Sequence, residues 1–130
     1  MNKENRIDFL EAGGSLCVIK DGRILYQSND EKLAPLVDCI KKHKDQMKDA
    51  VAYDKLVGRA AALLFVYAGV SEVNSLVGSK EAEDILKKAG VKYSFKKTVS
   101  KILNEEKTDI CPMDKEAAGK QPQEFFKAMA

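Results

Sequence analysis

Apolar residues recur along the chain with two different periods, and the changes of period mark its elements. Ile7, Phe9, Leu10 and Ala12 suggest a short helix that Gly13-Gly14 stops. The stretch "SLCVIKDGRILYQS" then carries two apolar runs around Asp21-Gly22, a dipeptide that tolerates the positive φ angles of a tight β-hairpin turn. Farther on, Leu33, Leu36, Val37, Ile40 and Met47 fall on one helical face with lysines opposite, and Pro35 is tolerated in the first turn. This is the pattern of a surface helix over a core. The stretch "YDKLVGRAAALL" reads as the opening of another helix, one that is apolar on all sides over residues 60–68 and is therefore expected between a sheet and a second layer.

After Gly69, "VSEVNSLVGS" alternates as a strand does, "SKEAEDILKKAG" follows as a helix capped by Ser79 and stopped by Gly90, and "VKYSFKK" alternates again. Strand, helix and strand with short joints make a βαβ unit, so residues 73–77 and 91–95 are expected to be parallel neighbours. Residues 99–103 read as helical. "ICPMDKEAAG" reads as a loop feeding a short helix, and Phe125 and Phe126 are expected to close the last residues onto the core.

Length and charge narrow the possibilities. The 130 residues fit one domain, 1–130, with a single core. Lys plus Arg number 22 against 20 Asp plus Glu, with the signs mixed along the chain, so a general electrostatic grip on nucleic acid is not indicated. The longest apolar run, residues 60–70, contains a glycine and is far shorter than the roughly 20 residues of a membrane span. Cys17, Cys39 and Cys111 are odd in number and far apart, and the N-terminal residues show no signal-peptide pattern. Reduced thiols and a cytoplasmic location are the expectation.

The order hairpin, buried helix, strand, helix, "AGV" and strand, carried by "DKLVGRAAALLFVYAGV" and "GSKEAEDILKKAGVKY", resembles the cytidine deaminase fold. With the later "CPMD", the chain is also similar to a small family of uncharacterised proteins, a domain of unknown function. The resemblance implies an α/β three-layer α-β-α sandwich, with a mixed sheet, an N-terminal hairpin, a parallel βαβ unit and two helix N-termini facing one nucleoside pocket. Zinc deaminases carry His or Cys, Ala and Glu at the start of the first of these helices. Val57, Gly58, Arg59 and Ala60 stand in that region here, and Gly78, Ser79, Lys80, Glu81 and Ala82 stand where the second helix would open with Pro-Cys-x-x-Cys. Zinc activation of water requires three protein ligands, and proton transfer requires the Glu, so neither zinc nor hydrolytic deamination is expected.

Two helix N-termini aimed at one crevice still favour an anion. Gly58 either admits a ligand close to the backbone or only permits tight helix packing. Ser79 either offers its hydroxyl to a ligand or only caps its helix. Lys55, Arg59 and Lys80 either supply charge or extend into water. Asp54 either caps the buried helix or reaches the pocket mouth as an acceptor for a ribose hydroxyl or a base, where it is also a candidate general base. His43 lies on the lysine-rich side of the surface helix without an apparent partner.

In "TDICPMDKE", Cys111 precedes Pro112, with Asp109, Asp114 and Glu116 nearby. The thiol is either an activated group at a helix start or a small buried residue before a first-turn proline. A metal held by Cys111, Asp114 and Asp54 matches no established ligand spacing. The expectation is therefore a non-deaminating protein without a cofactor. It binds a nucleoside- or nucleotide-derived or other anionic small molecule through Asp54, Lys55, Gly58, Arg59, Ser79, Lys80 and Cys111. One alternative is an enzyme of another class with Cys111 as nucleophile and Asp54 or Asp114 as acid/base. The other is a structural protein acting as a homodimer.

Overall fold

The computed structural model describes residues 3–30, 33–103 and 107–130. Helix α1 (Lys3–Glu11) leads through Gly13-Gly14 into strands β1 (Leu16–Lys20) and β2 (Arg23–Ser28), which pair antiparallel. Asp21 and Gly22 turn the hairpin with φ of 51° and 77°, as the dipeptide requires. Helix α2 (Ala34–Met47) follows, with Pro35 in its first turn and Leu36, Val37, Cys39, Ile40 and Met47 buried.

The next element departs from expectation. "VAYDKLV" is not the approach to a helix but strand β3 (Val51–Val57), the centre of the sheet, antiparallel to β1 and parallel to the strand that follows. Its flanking faces explain the disguise. Ala52 belongs to the main core and Tyr53 to the smaller cluster under α1, so both faces are covered and no apolar/polar alternation results. Helix α3 (Arg59–Ala68) then runs through the core, with Ala60 to Phe65 and Ala68 buried, and ends on Gly69 in the left-handed conformation at φ 80°.

Strand β4 (Glu72–Ser79), helix α4 (Lys80–Lys88) and strand β5 (Lys92–Val99) form the expected βαβ unit, with Val73 opposite Tyr93 and Ser75 opposite Phe95 in parallel register. The sheet order is β2-β1-β3-β4-β5. Residues 99–103 are not helical. The strand continues to Val99, and Leu103 forms an isolated bridge to Ile110, which brings the chain to the short helix α5 (Pro112–Ala117). The C-terminal helix α6 (Pro122–Met129) seals the core through fully buried Phe125, while Phe126 stacks on Tyr67 at 4.7 Å between ring centroids.

The result is a three-layer α-β-α arrangement. Helix α1 covers one face of the sheet over Leu10, Cys17, Ile19 and Tyr53, and the other helices cover the opposite face over the main core around Val18, Leu36, Leu64, Phe65 and Leu86. No helix among the described residues is long and apolar enough to cross a membrane.

Candidate functional site

Strands β3 and β4 run side by side, with Val57 opposite Gly78, and each passes directly into a helix. The carboxyl ends of these parallel strands and the first turns of α3 and α4 therefore form one crest, the end of an open α/β sheet where ligands characteristically bind. Every residue proposed around the ligand, apart from Cys111, lies on β3, β4 or the first turn that follows them.

The start of α3 has no cap of its own, because its N-cap is Gly58 in extended conformation. The missing acceptor comes from a distant part of the chain. Asp114, on α5, accepts a hydrogen bond from the Ala60 backbone N–H at Oδ1, 2.9 Å away. Gly58 is the seat for this carboxylate, since a Cβ there would overlap Asp114 Oδ2 and stand 2.8 Å from Oδ1. Arg59 fastens the same junction, donating from Nη1 to the Asp114 carbonyl at 3.1 Å and from Nη2 to Glu81. Burial raises the Asp114 carboxyl above its ordinary value, against the opposing pull of the Ala60 and Arg59 backbone N–H groups and the charges of Arg59 and Lys101. The anion at the α3 N-terminus is thus the chain's own.

The start of α4 is satisfied locally. Ser79 Oγ accepts from the Ala82 N–H at 3.1 Å, which is the expected cap, and Glu81 in the first turn meets both Arg59 and Lys101, the latter at 3.2 Å. Acidic side chains in a first turn complement the helix dipole. Lys80 is exposed and Lys55 half-buried.

Asp54 does not cap α3; it sits four residues earlier on β3, opposite Leu16 and Ser75. Following Ala52 by one strand period, it lies on the helix-covered face and is half-buried. Burial pushes its carboxyl up to about 8, although the backbone N–H groups of Leu56 and Lys55 donate to it. It is neutral over most of the physiological range and can both donate and accept. Ser75, buried beside it in the register, already donates to backbone carbonyls of Lys55 at 3.2 Å and Val77 at 2.8 Å. Neither the burial of Asp54 nor the carboxylate from α5 has a local signal in the sequence; only Gly58 hinted at a close approach.

Cys111 is half-buried at the start of α5, a single helix of six residues, and its backbone N–H donates to the Ile102 carbonyl. Asp114 is turned toward α3 rather than toward this thiol, so the structure assembles no nucleophile–base pair from the two. Asp109 pairs with Lys115, Glu116 pairs with Lys120 at 2.8 Å, and His43 lies edge-on to Tyr26 in the surface helix. Among the described residues no three His, Cys, Asp or Glu side chains gather as a metal site, so Cys111, Asp114 and Asp54 do not form one.

Strand β3 also corrects the placement of the deaminase motif. The helix that directly follows the hairpin is α2, so the order hairpin, helix, strand, helix, strand is met by β1-β2, α2, β3, α3 and β4. The corresponding helix starts carry Leu33, Ala34 and Pro35, then Gly58, Arg59 and Ala60. These positions supply no imidazole or thiolate, nor do Ser79 and Lys80 at the start of α4; the residues present do not fit a catalytic zinc.

Two open surface depressions lie at the far end of the sheet, where Asp49, Gly69, Ser71, Glu72, Gly90, Lys92 and their neighbours join α3 and α4 to the next strands. They share Glu72, Gly90, Val91 and Lys92; the first adds Lys87 to these charges and the second Asp49.

A family model described as TM1506, domain of unknown function (DUF1893), matches residues 6–130. The crystal structure of a DUF1893 family protein from Thermotoga maritima is similar over 99% of this chain and 90% of that one, with a TM-score of 0.87 and 24% identity. dCMP deaminase from the cyanophage S-TIM5 is similar over 73% of this chain and 99% of its own, with a TM-score of 0.56 and 14% identity. RibD from Acinetobacter baumannii is similar over 97% of this chain but 38% of its own, with a TM-score of 0.53 and 21% identity. These likenesses establish a deaminase-like fold. No curated protein sequence matches the chain.

Proposed function

This chain belongs to the TM1506 family of domains of unknown function (DUF1893), and on that premise we propose that it binds a small molecule without deaminating it. The ligand is nucleoside- or nucleotide-derived, or another anionic compound, and sits at the carboxyl ends of β3 and β4. The observation that carries this reading is Asp54, a half-buried carboxyl raised to about 8 midway along β3, four residues before the α3 N-cap and so beneath the crest where α/β sheets bind ligands. A neutral carboxyl offers an O–H donor beside a carbonyl acceptor, the complement of the amide-like edge of a nucleobase. The fold of a dCMP deaminase supports the same ligand class. With the Ala60 N–H held by Asp114, an anionic group on the ligand would face Lys80, with Gly58, Arg59 and Ser79 as the wall beside it and Cys111 at the margin.

A thermal-shift screen of nucleosides, nucleotides and nucleotide sugars tests this. A ligand at a hundred times its Kd stabilises by about 2.7 kcal/mol, readily visible as a higher Tm. At least one compound should stabilise the wild type and lose its effect on Asp54→Ala, which removes both the donor and the acceptor, each shift being read against the variant's own Tm. A screen without a stabilising compound would refute the proposal.

A further inference from the structure

Strand β5 closes one edge of the sheet, with β4 as its single strand neighbour. Among the described residues, the backbone hydrogen bonds of residues 93–99 to other segments run only to β4, so the outer side of an eight-residue strand is open. Its side chains divide by face. Lys92, Ser94 and Lys96 are exposed on the side of α1, whereas Tyr93 and Phe95 are half-buried on the other, their ring centroids 5.2 Å apart. Lys97 adds a third cation, and the strand contains no acid.

This charge selects among the strands that could add to the edge. A second copy of β5 would set lysine beside lysine, and like charges across a strand pair repel. The other free edge of the same sheet, β2, carries Arg23 and no acid, so pairing β5 of one copy with β2 of another gains no ionic contact. An acidic strand is favoured instead, and Lys96 already shows the preference by holding Glu11 of α1 at 2.6 Å on that face. We propose that β5 is a docking edge for an extended segment of another protein in which acidic and apolar residues alternate. The segment adds as a sixth strand, with its acids beside Lys92 and Lys96 and its apolar side chains beside Tyr93 and Phe95.

The full chain and a soluble peptide of four Glu-Val repeats provide the test, with a Lys-Val peptide and an order-scrambled Glu/Val peptide as controls. Amide hydrogen exchange should show new protection confined to alternate residues of β5 with the alternating acidic peptide. Affinity for the Lys-Val peptide should be about tenfold weaker or worse, and binding should weaken with salt. Lys92→Glu should narrow the preference for the acidic peptide, and Lys92→Glu with Lys96→Glu should reverse it, without changing exchange elsewhere. Unchanged exchange along β5 would overturn the proposal, because the lysines would then only guard the edge. So would equal protection by all three peptides, or protection of β5 that rises with protein concentration and no peptide, which would mark a contact between copies.

Discussion

Replacing Asp54 by Asn keeps the shape and the acceptor for the Lys55 and Leu56 N–H groups but removes the ionisation. The folded carboxyl sits at about 8 against an ordinary 3.8, and burial is the leading cause. The folded state therefore holds its proton more tightly than the unfolded chain does. Between pH 4 and 8 the native protein binds more protons than the unfolded one, so the wild type loses stability as pH rises, down to a floor above 8. At about 1.4 kcal/mol for each pH unit, the cost of ionising or retaining the proton reaches on the order of 4 kcal/mol at pH 7. Asp38, Asp109 and Glu116 have carboxyls lowered by their hydrogen-bonded partners, and their contributions are complete above the ordinary carboxylate range. They leave the window from pH 5 to 8 clear. Asp114 is raised and acts in the same direction as Asp54, which is why the difference between variant and wild type, rather than the wild-type curve alone, is the quantity to read. Urea unfolding at pH 5, 6, 7, 8 and 9 supplies it. Asp54→Asn should exceed the wild type by about 1–2 kcal/mol at pH 5 and by about 5 kcal/mol at pH 8, and share its m-value. A variant that is less stable than wild type at pH 8, or a difference that does not change with pH, would refute the buried neutral carboxyl.

Gly58→Ala should destabilise by about 1–3 kcal/mol, because the added Cβ overlaps the carboxylate of Asp114; in an Asp114→Ala background the same change should cost much less, a coupling that a double-mutant cycle by chemical denaturation measures. Asp114→Ala alone should cost about 1 kcal/mol for the lost cap on Ala60 and raise amide exchange at the first turn of α3. Phe125→Ala should lower stability by about 3–5 kcal/mol in urea, since the ring is fully buried beneath α6.

The parts of the fold that were legible in the sequence are those with punctuation. Asp21-Gly22 marked the hairpin, Ser79 and Gly90 bounded α4, and the alternation on either side of that helix marked β4 and β5 as parallel neighbours. Strand β3 was hidden because it is central. Covered on both faces and carrying Asp54 and Lys55 in its middle, it has no two-residue period, and the apolar run of α3 directly behind it drew the helix boundary too early. The residues 99–103 misled for the opposite reason, since an edge strand running into a bridge leaves apolar side chains at spacings that also suit a helix. The crest itself followed from the fold resemblance, but its chemistry did not. The Asp114 contact with Ala60 spans 54 residues and exists only once α5 is packed on α3.

A ligand at the carboxyl ends of β3 and β4 would perturb the backbone amides of the crest and leave those at the other end of the sheet unmoved. Backbone amide NMR spectra of the wild type, titrated with the compound that most raises its Tm, read out both ends at once. Shift changes should concentrate at Asp54 to Arg59 and at Ser79 and Lys80, fading toward Asp49, Glu72 and Lys92 at the other end of the sheet. Changes concentrated at Asp49, Glu72 and Lys92, with the crest unmoved, would contradict that placement.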